Sequence, residues 1–177
     1  MQDDTDEIWV FGYGSLMWRP GFPHLEVHPA LLRGYHRALC VYSVVFRGTP
    51  EAPGLVTGLN RGGACRGRAY RVAAGDAKAA LDQLDARELV HGVYIRRRAP
   101  VAIKNGRRVA AWFYVARPDH EQYAGNLSPE EIARLVATRS GPEGSSLEYL
   151  RNTVAHMDDM GIADGPLHKV LEMAEEG

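Results

Sequence analysis

The 177-residue sequence sets 21 Lys and Arg against 22 Asp and Glu, a formal net charge of −1, with 45% apolar and 24% charged residues. That balance excludes the strong basic field that gathers nucleic acid or an anionic membrane surface. No run of about 18 apolar residues is present, so no membrane-spanning helix is expected. The length suits one folded domain over 8–177, preceded by a loose acidic tail over 1–7 that lacks the apolar core of a signal peptide. Cys40 and Cys65 have neither CxxC nor Cys/His spacing, which argues against a zinc site. They read as two buried thiols of a reducing compartment, and the expected address is the cytoplasm.

Ile8 to Phe11 is a β-prone apolar run, a buried strand that breaks into Gly12-Tyr13-Gly14-Ser15. Two glycines one residue apart let the backbone turn and offer several N–H groups to one anion. The same pattern also serves a plain turn. Arg19-Pro20-Gly21-Phe22-Pro23 interrupts regular structure. Ala30 to Phe46 reads as a long strand, bent or bulged near Gly34. Residues 47–54 form a rigid polar loop, Leu55 to Leu59 a short strand, Gly62-Gly63 a tight turn and Cys65 to Val72 another strand.

The period then changes. Asp76 to Glu88 carries Ala77, Ala80, Leu81 and Leu84 at helical spacing, with Asp76 as the expected N-cap. Strands are expected at Val93 to Ile103 and Val109 to Ala116, joined at the hairpin signal Asn105-Gly106. Ser128-Pro129-Glu130-Glu131 is a capping-box start to a helix that Gly141-Pro142 ends. A helix over Ser146 to Met160 stops at Gly161, and a short last helix begins near Pro166. Strands, one helix, a hairpin and then helices do not make a β-α-β alternation. The fold class is α+β, a small mixed β-barrel-like sheet with flanking helices.

Candidate chemistry centres on Glu88. A carboxylate at a helix-to-strand crossing can point into a partly buried space, where its raised pKa suits a general base near neutral pH. Asp82 and Asp85 read as surface or capping groups. Ser15 lies outside a Gly-x-Ser-x-Gly elbow, and the seven histidines have no ligand spacing such as HExxH. A nucleophilic triad is therefore not supported.

Taken together, several segments resemble the gamma-glutamylcyclotransferases of the ChaC type. They are Phe11-Gly12-Tyr13-Gly14-Ser15-Leu16, Arg47 to Val56, Gly62 to Val72, Leu84-Asp85-Ala86-Arg87-Glu88, Phe113-Tyr114-Val115-Ala116, Gly141 to Gly144 and Glu148-Tyr149-Leu150. They follow the family's order and cover about residues 8 to 170. The resemblance implies a gamma-glutamylcyclotransferase-like barrel and cleavage of glutathione to 5-oxoproline and cysteinylglycine. By position, Tyr13, Gly14, Ser15 and Leu16 would bind the γ-glutamyl group through backbone N–H groups. Glu88 would be the acid/base, and Arg47 and Tyr114 would contact substrate. Phe46 stands where relatives often carry His, and Ser43 where some carry an acid. Neither a metal nor an organic cofactor is expected. The partner is a small molecule, glutathione or another γ-glutamyl peptide, and the chain is expected as a monomer or homodimer. The alternatives are the same chemistry on other γ-glutamyl amino acids or amines, and a non-catalytic γ-glutamyl-binding protein.

Overall fold

The computed structural model describes residues 6–163 and 165–177. The chain forms β1 (Ile8–Gly12), β2 (Glu26–Ser43), β3 (Gly54–Val72), α1 (Ala74–Glu88), β4 (Tyr94–Ala102) and β5 (Arg108–Ala116). There follow α2 (Pro129–Thr138), β6 (Ser140–Gly141), β7 (Gly144–Ser145), α3 (Ser146–Asp159) and α4 (Gly165–Glu176). The first five strands close into a barrel in the order β1-β3-β2-β4-β5, as the sheet-plus-helices reading expects. The sheet is mixed: β1 runs parallel to β5 and antiparallel to β3.

The chain divides into two compact units. The first comprises the described residues up to His36 together with Arg61–Arg117, and the second Arg37–Asn60 with Pro118–Gly177. In the first unit, α1 lies on the outer face of the sheet. Ala77, Ala80 and Leu84 pack there against Ile8, Val10, Tyr70, Val72 and Tyr114, every one of them buried. Alternation then sends Phe113 to the opposite face, where it meets Phe11 and Tyr35 edge to face. In the second unit, α2, α3 and α4 pack on one another through apolar residues such as Val136, Leu150, Met157 and Leu167.

Several boundaries differ from the sequence reading. Gly62-Gly63 does not end the strand; β3 runs through it, with the two glycines at φ of +101° and +69°. Gly34, where a bend or bulge is expected, takes φ +93° within β2. The long strand begins earlier, at Glu26, and stops at Ser43, whose Oγ accepts the Arg47 N–H at 2.9 Å and turns the chain. Ala73, not Asp76, caps α1, because the helix starts two residues sooner. Asp76 sits instead in the first turn, where its charge suits the helix dipole. At the hairpin, Asn105 and Gly106 take φ of 59° and 70°. The capping box of Ser128 and Glu131 is formed in both directions. Of the expected tail, residues 1–5 lie outside the described residues, and Glu7 accepts hydrogen bonds of 2.9 Å from Arg71.

Candidate active site

The loop after β1 folds into one turn of 3-10 helix over Ser15–Met17. The turn crowds back on its own strand, and a Cβ on Gly12 would lie 2.8 Å from the Leu16 Cβ. Tyr70 fixes it from below, its hydroxyl donating to the carbonyls of Leu16 at 2.6 Å and Met17 at 2.9 Å. Arg68 donates to the same Met17 carbonyl at 3.1 Å. Tyr13 turns inward, and its hydroxyl donates to the Tyr114 carbonyl at 2.9 Å. Each of these anchors grips a side chain or a carbonyl. The first N–H groups of such a turn, at Ser15 and Leu16, have no acceptor within it and suit an incoming anion.

Glu88 is the last residue of α1, and its side chain is 20% exposed. Burial raises its carboxyl above the usual range, and the Arg87 guanidinium, 3.4 Å away, opposes that shift only in part. Arg87 also donates to Ser15 Oγ at 2.7 Å, so it links the end of α1 to the loop after β1.

Strand register supplies the rest. Tyr114 on β5 stands opposite Arg96 on β4, and Trp112 opposite Arg98. The Tyr114 hydroxyl donates to Asp85 Oδ1 at 2.7 Å, and Arg96 donates to Asp85 Oδ2 at 2.5 Å. Arg96 lies over the Trp112 ring at 4.7 Å. Burial, then the bond to Asp85, pushes the Tyr114 phenol up, and the Glu88 charge adds to the effect. This corrects the reading of Asp85 as a surface or capping group. Three residues before Glu88, it shares a side of the helix with it, but its partners lie on strands whose register the local sequence does not display. Asp82 does behave as a surface group, paired with Lys78.

Arg47 belongs to the second unit. Its carbonyl accepts from Ser146 Oγ at 3.1 Å, and its guanidinium reaches the Ser145 carbonyl at 3.5 Å and Glu148 at 3.8 Å. It also lies over the Tyr149 ring at 5.6 Å. Ser146, fully buried, accepts the Leu55 N–H at 3.2 Å as well, a role no motif in the sequence announces. Six of the seven residues singled out from the sequence, Tyr13, Gly14, Ser15, Leu16, Glu88 and Tyr114, therefore lie in the first unit, and Arg47 in the second. Cys40 and Cys65 are buried and neither is in a disulfide; burial pushes the Cys40 thiol up to about 12, away from thiolate chemistry.

These features can be set beside known proteins. The glutathione-specific gamma-glutamylcyclotransferase of Escherichia coli strain K12 is 34% identical over 168 residues, covering 95% of this chain and 73% of the relative. Glutathione-specific gamma-glutamylcyclotransferase 1 of Danio rerio is 35% identical over 147 residues, covering 81% of this chain and 75% of its own. The crystal structure of a yeast gamma-glutamyl cyclotransferase specific to glutathione superposes with a TM-score of 0.87 at 24% identity, covering 96% of both chains, and shares the fold. The sequence model of the family described as ChaC-like protein matches residues 8–177, and the chain belongs to that family.

Proposed function

We propose that this protein is a gamma-glutamylcyclotransferase that cleaves glutathione to 5-oxoproline and cysteinylglycine, with Glu88 as general acid/base. The observation that carries the reading is the half-buried Glu88 carboxyl, raised by burial and linked through Arg87 to the loop after β1. Relatives of 34–35% identity named for this activity support the substrate.

The chemistry needs no enzyme nucleophile, in keeping with the lack of a triad in the sequence. The substrate's α-ammonium gives a proton to Glu88, and the freed amine attacks the γ-carbonyl carbon and closes a five-membered ring. The C–N bond to cysteine then breaks as Glu88 passes that proton, and then the second one the ring nitrogen sheds on becoming an amide, to the leaving nitrogen, which departs as an ammonium. Water is not consumed. A carboxyl raised above its usual range accepts and returns a proton near neutral pH better than an ordinary one, a step worth typically 10²–10⁴-fold. The N–H groups of the Tyr13–Leu16 loop hold the γ-glutamyl carboxylate or the developing oxyanion. Holding the flexible chain curled for attack supplies up to roughly 7–11 kcal/mol at ideal alignment. Arg47 keeps its assignment as a substrate contact on the family resemblance. The same reading makes the reaction a lyase-type intramolecular acyl transfer in the cytoplasm, where two thiols outside any disulfide fit.

The test is incubation with reduced glutathione, with γ-glutamylalanine alongside, followed by mass spectrometry of the products. 5-Oxoproline and cysteinylglycine from glutathione alone would support the reading. 5-Oxoproline from γ-glutamylalanine but not from glutathione would move the substrate to other γ-glutamyl compounds.

A further inference from the structure

Tyr114 has one hydroxyl proton, and the geometry shows where it goes. The partner is a carboxylate, which only accepts. Both Asp85 oxygens are engaged, with Oδ1 accepting from the Tyr114 hydroxyl at 2.7 Å and Oδ2 accepting an Arg96 N–H at 2.5 Å. Arg96 is in turn held by its place opposite Tyr114 on the sheet and by the Trp112 ring beneath it. The triangle is therefore built from one helix and two paired strands, and Arg96 holds the Asp85 carboxylate in place as an acceptor. Once its proton is committed, the Tyr114 oxygen can only accept from any further partner. Glu88 ends the same helix three residues beyond Asp85, which holds Tyr114, and its charge acts on the phenol. The two oxygen groups together suit a cation with several N–H donors.

We propose that Asp85 is a positioning residue: by taking the Tyr114 proton it presents the Tyr114 oxygen as an acceptor for the α-ammonium of the γ-glutamyl substrate. The inference rests on the cyclotransferase reading and sharpens it, because the ammonium is both the recognition handle and the source of the attacking amine. With one N–H held by Tyr114 and another by Glu88, the nitrogen is oriented before its proton leaves. A neutral phenol serves this purpose, and burial together with Asp85 keeps Tyr114 neutral. The charged or titratable groups facing the phenol are Asp85 and Glu88 from α1 and Arg96 from β4.

The experiment compares glutathione with glutaryl-cysteinylglycine, which lacks the α-ammonium and cannot cyclise. Binding of both is measured by calorimetry in a Glu88→Gln background, with and without Asp85→Asn or Tyr114→Phe. Turnover is measured with Glu88 in place. Loss of one hydrogen bond to a charged group predicts a fall of about ten- to a hundredfold in the preference for glutathione over the glutaryl analogue. The kcat/KM for glutathione should fall by the same factor, mainly through KM. Combining the two variants should cost no more than the larger single loss. A purely structural role for Asp85 would weaken both ligands alike and leave the preference intact, which would overturn the proposal. Tyr114→Phe leaves the Asp85–Arg96 pair in place, so if Asp85→Asn does not fold, an unchanged preference in Tyr114→Phe overturns it instead. Wild-type protein that makes no 5-oxoproline would sink the cyclotransferase reading, while the binding preference would still decide the role of Asp85.

Discussion

The two units each carry a glycine-rich loop, and the two loops use glycine for different ends. In the first, Gly12 lets a single helical turn fold back until Leu16 nearly touches its own strand. Around that turn stand half-buried charges, Glu88 and Asp85, and a phenol shifted by them. In the second, residues 47–54 run backbone against backbone. A Cβ on Gly48 would sit on the Gly54 nitrogen, one on Gly54 on the Arg47 carbonyl, and one on Gly141 within 2.5 Å of the Gly48 nitrogen. Polar groups there satisfy each other, as Ser146 does for Arg47 and Leu55. A glycine-rich segment is thus no guide to chemistry by itself. The difference lies in whether the polar groups nearby are perturbed and left with capacity, or matched and closed.

If that contrast holds, the two loops should fail in different ways. The largest effect is expected at Glu88. Glu88→Gln should lower kcat by about 10²–10⁴-fold with folding intact, since proton transfer is lost while shape is kept. It should also remove a burial cost. A carboxyl raised in the folded state stabilises the protein below its unfolded pKa, and that contribution is lost as pH rises through the folded value. Thermal melts should therefore show the variant at least as stable as wild type near pH 7, with any advantage vanishing in mild acid. Next in size is Gly48→Ala, where the added methyl meets backbone that has nowhere to go. Its expected cost is roughly 3 kcal/mol, the upper end for overpacking, read as a lowered midpoint in urea. Activity per folded molecule should suffer far less. A Gly48→Ala protein of normal stability would break the contrast.

How much of this was legible in the sequence follows from which interactions are local. The capping box at Ser128, the left-handed pair Asn105-Gly106 and the positive φ at Gly34 each depend on the local chain, and each is found where the residues point. Gly62-Gly63 misled because glycines at positive φ can stand inside a strand as well as in a turn, and only the pairing across the sheet decides between them. Glu88 could be singled out because a carboxylate at a helix-to-strand crossing is a local pattern. Asp85 could not, since its partners Tyr114 and Arg96 are 29 and 11 residues away and meet it only through strand register. Ser146 was hidden for the same reason, 99 residues from the carbonyl it binds.

The smallest effect is expected at Tyr13, and it tests the contrast from inside the chemical region. Its hydroxyl donates to the Tyr114 carbonyl across 101 residues of sequence, a buried bond of 2.9 Å that ties the loop after β1 to β5. Tyr13→Phe keeps the ring in its buried place and removes only that bond, so stability should fall by about 1 kcal/mol. If the loop holds substrate through its backbone N–H groups, those donors survive the change. KM for glutathione should then rise by no more than about threefold, with kcat nearly unchanged, because a restrained turn loses little of its aim. Steady-state kinetics beside a urea titration would separate the two readings. A loss of kcat as deep as that of Glu88→Gln would mean that the Tyr13 hydroxyl itself takes part in the reaction. The loop would then act through a side chain and not, as its anchored carbonyls imply, through the main chain.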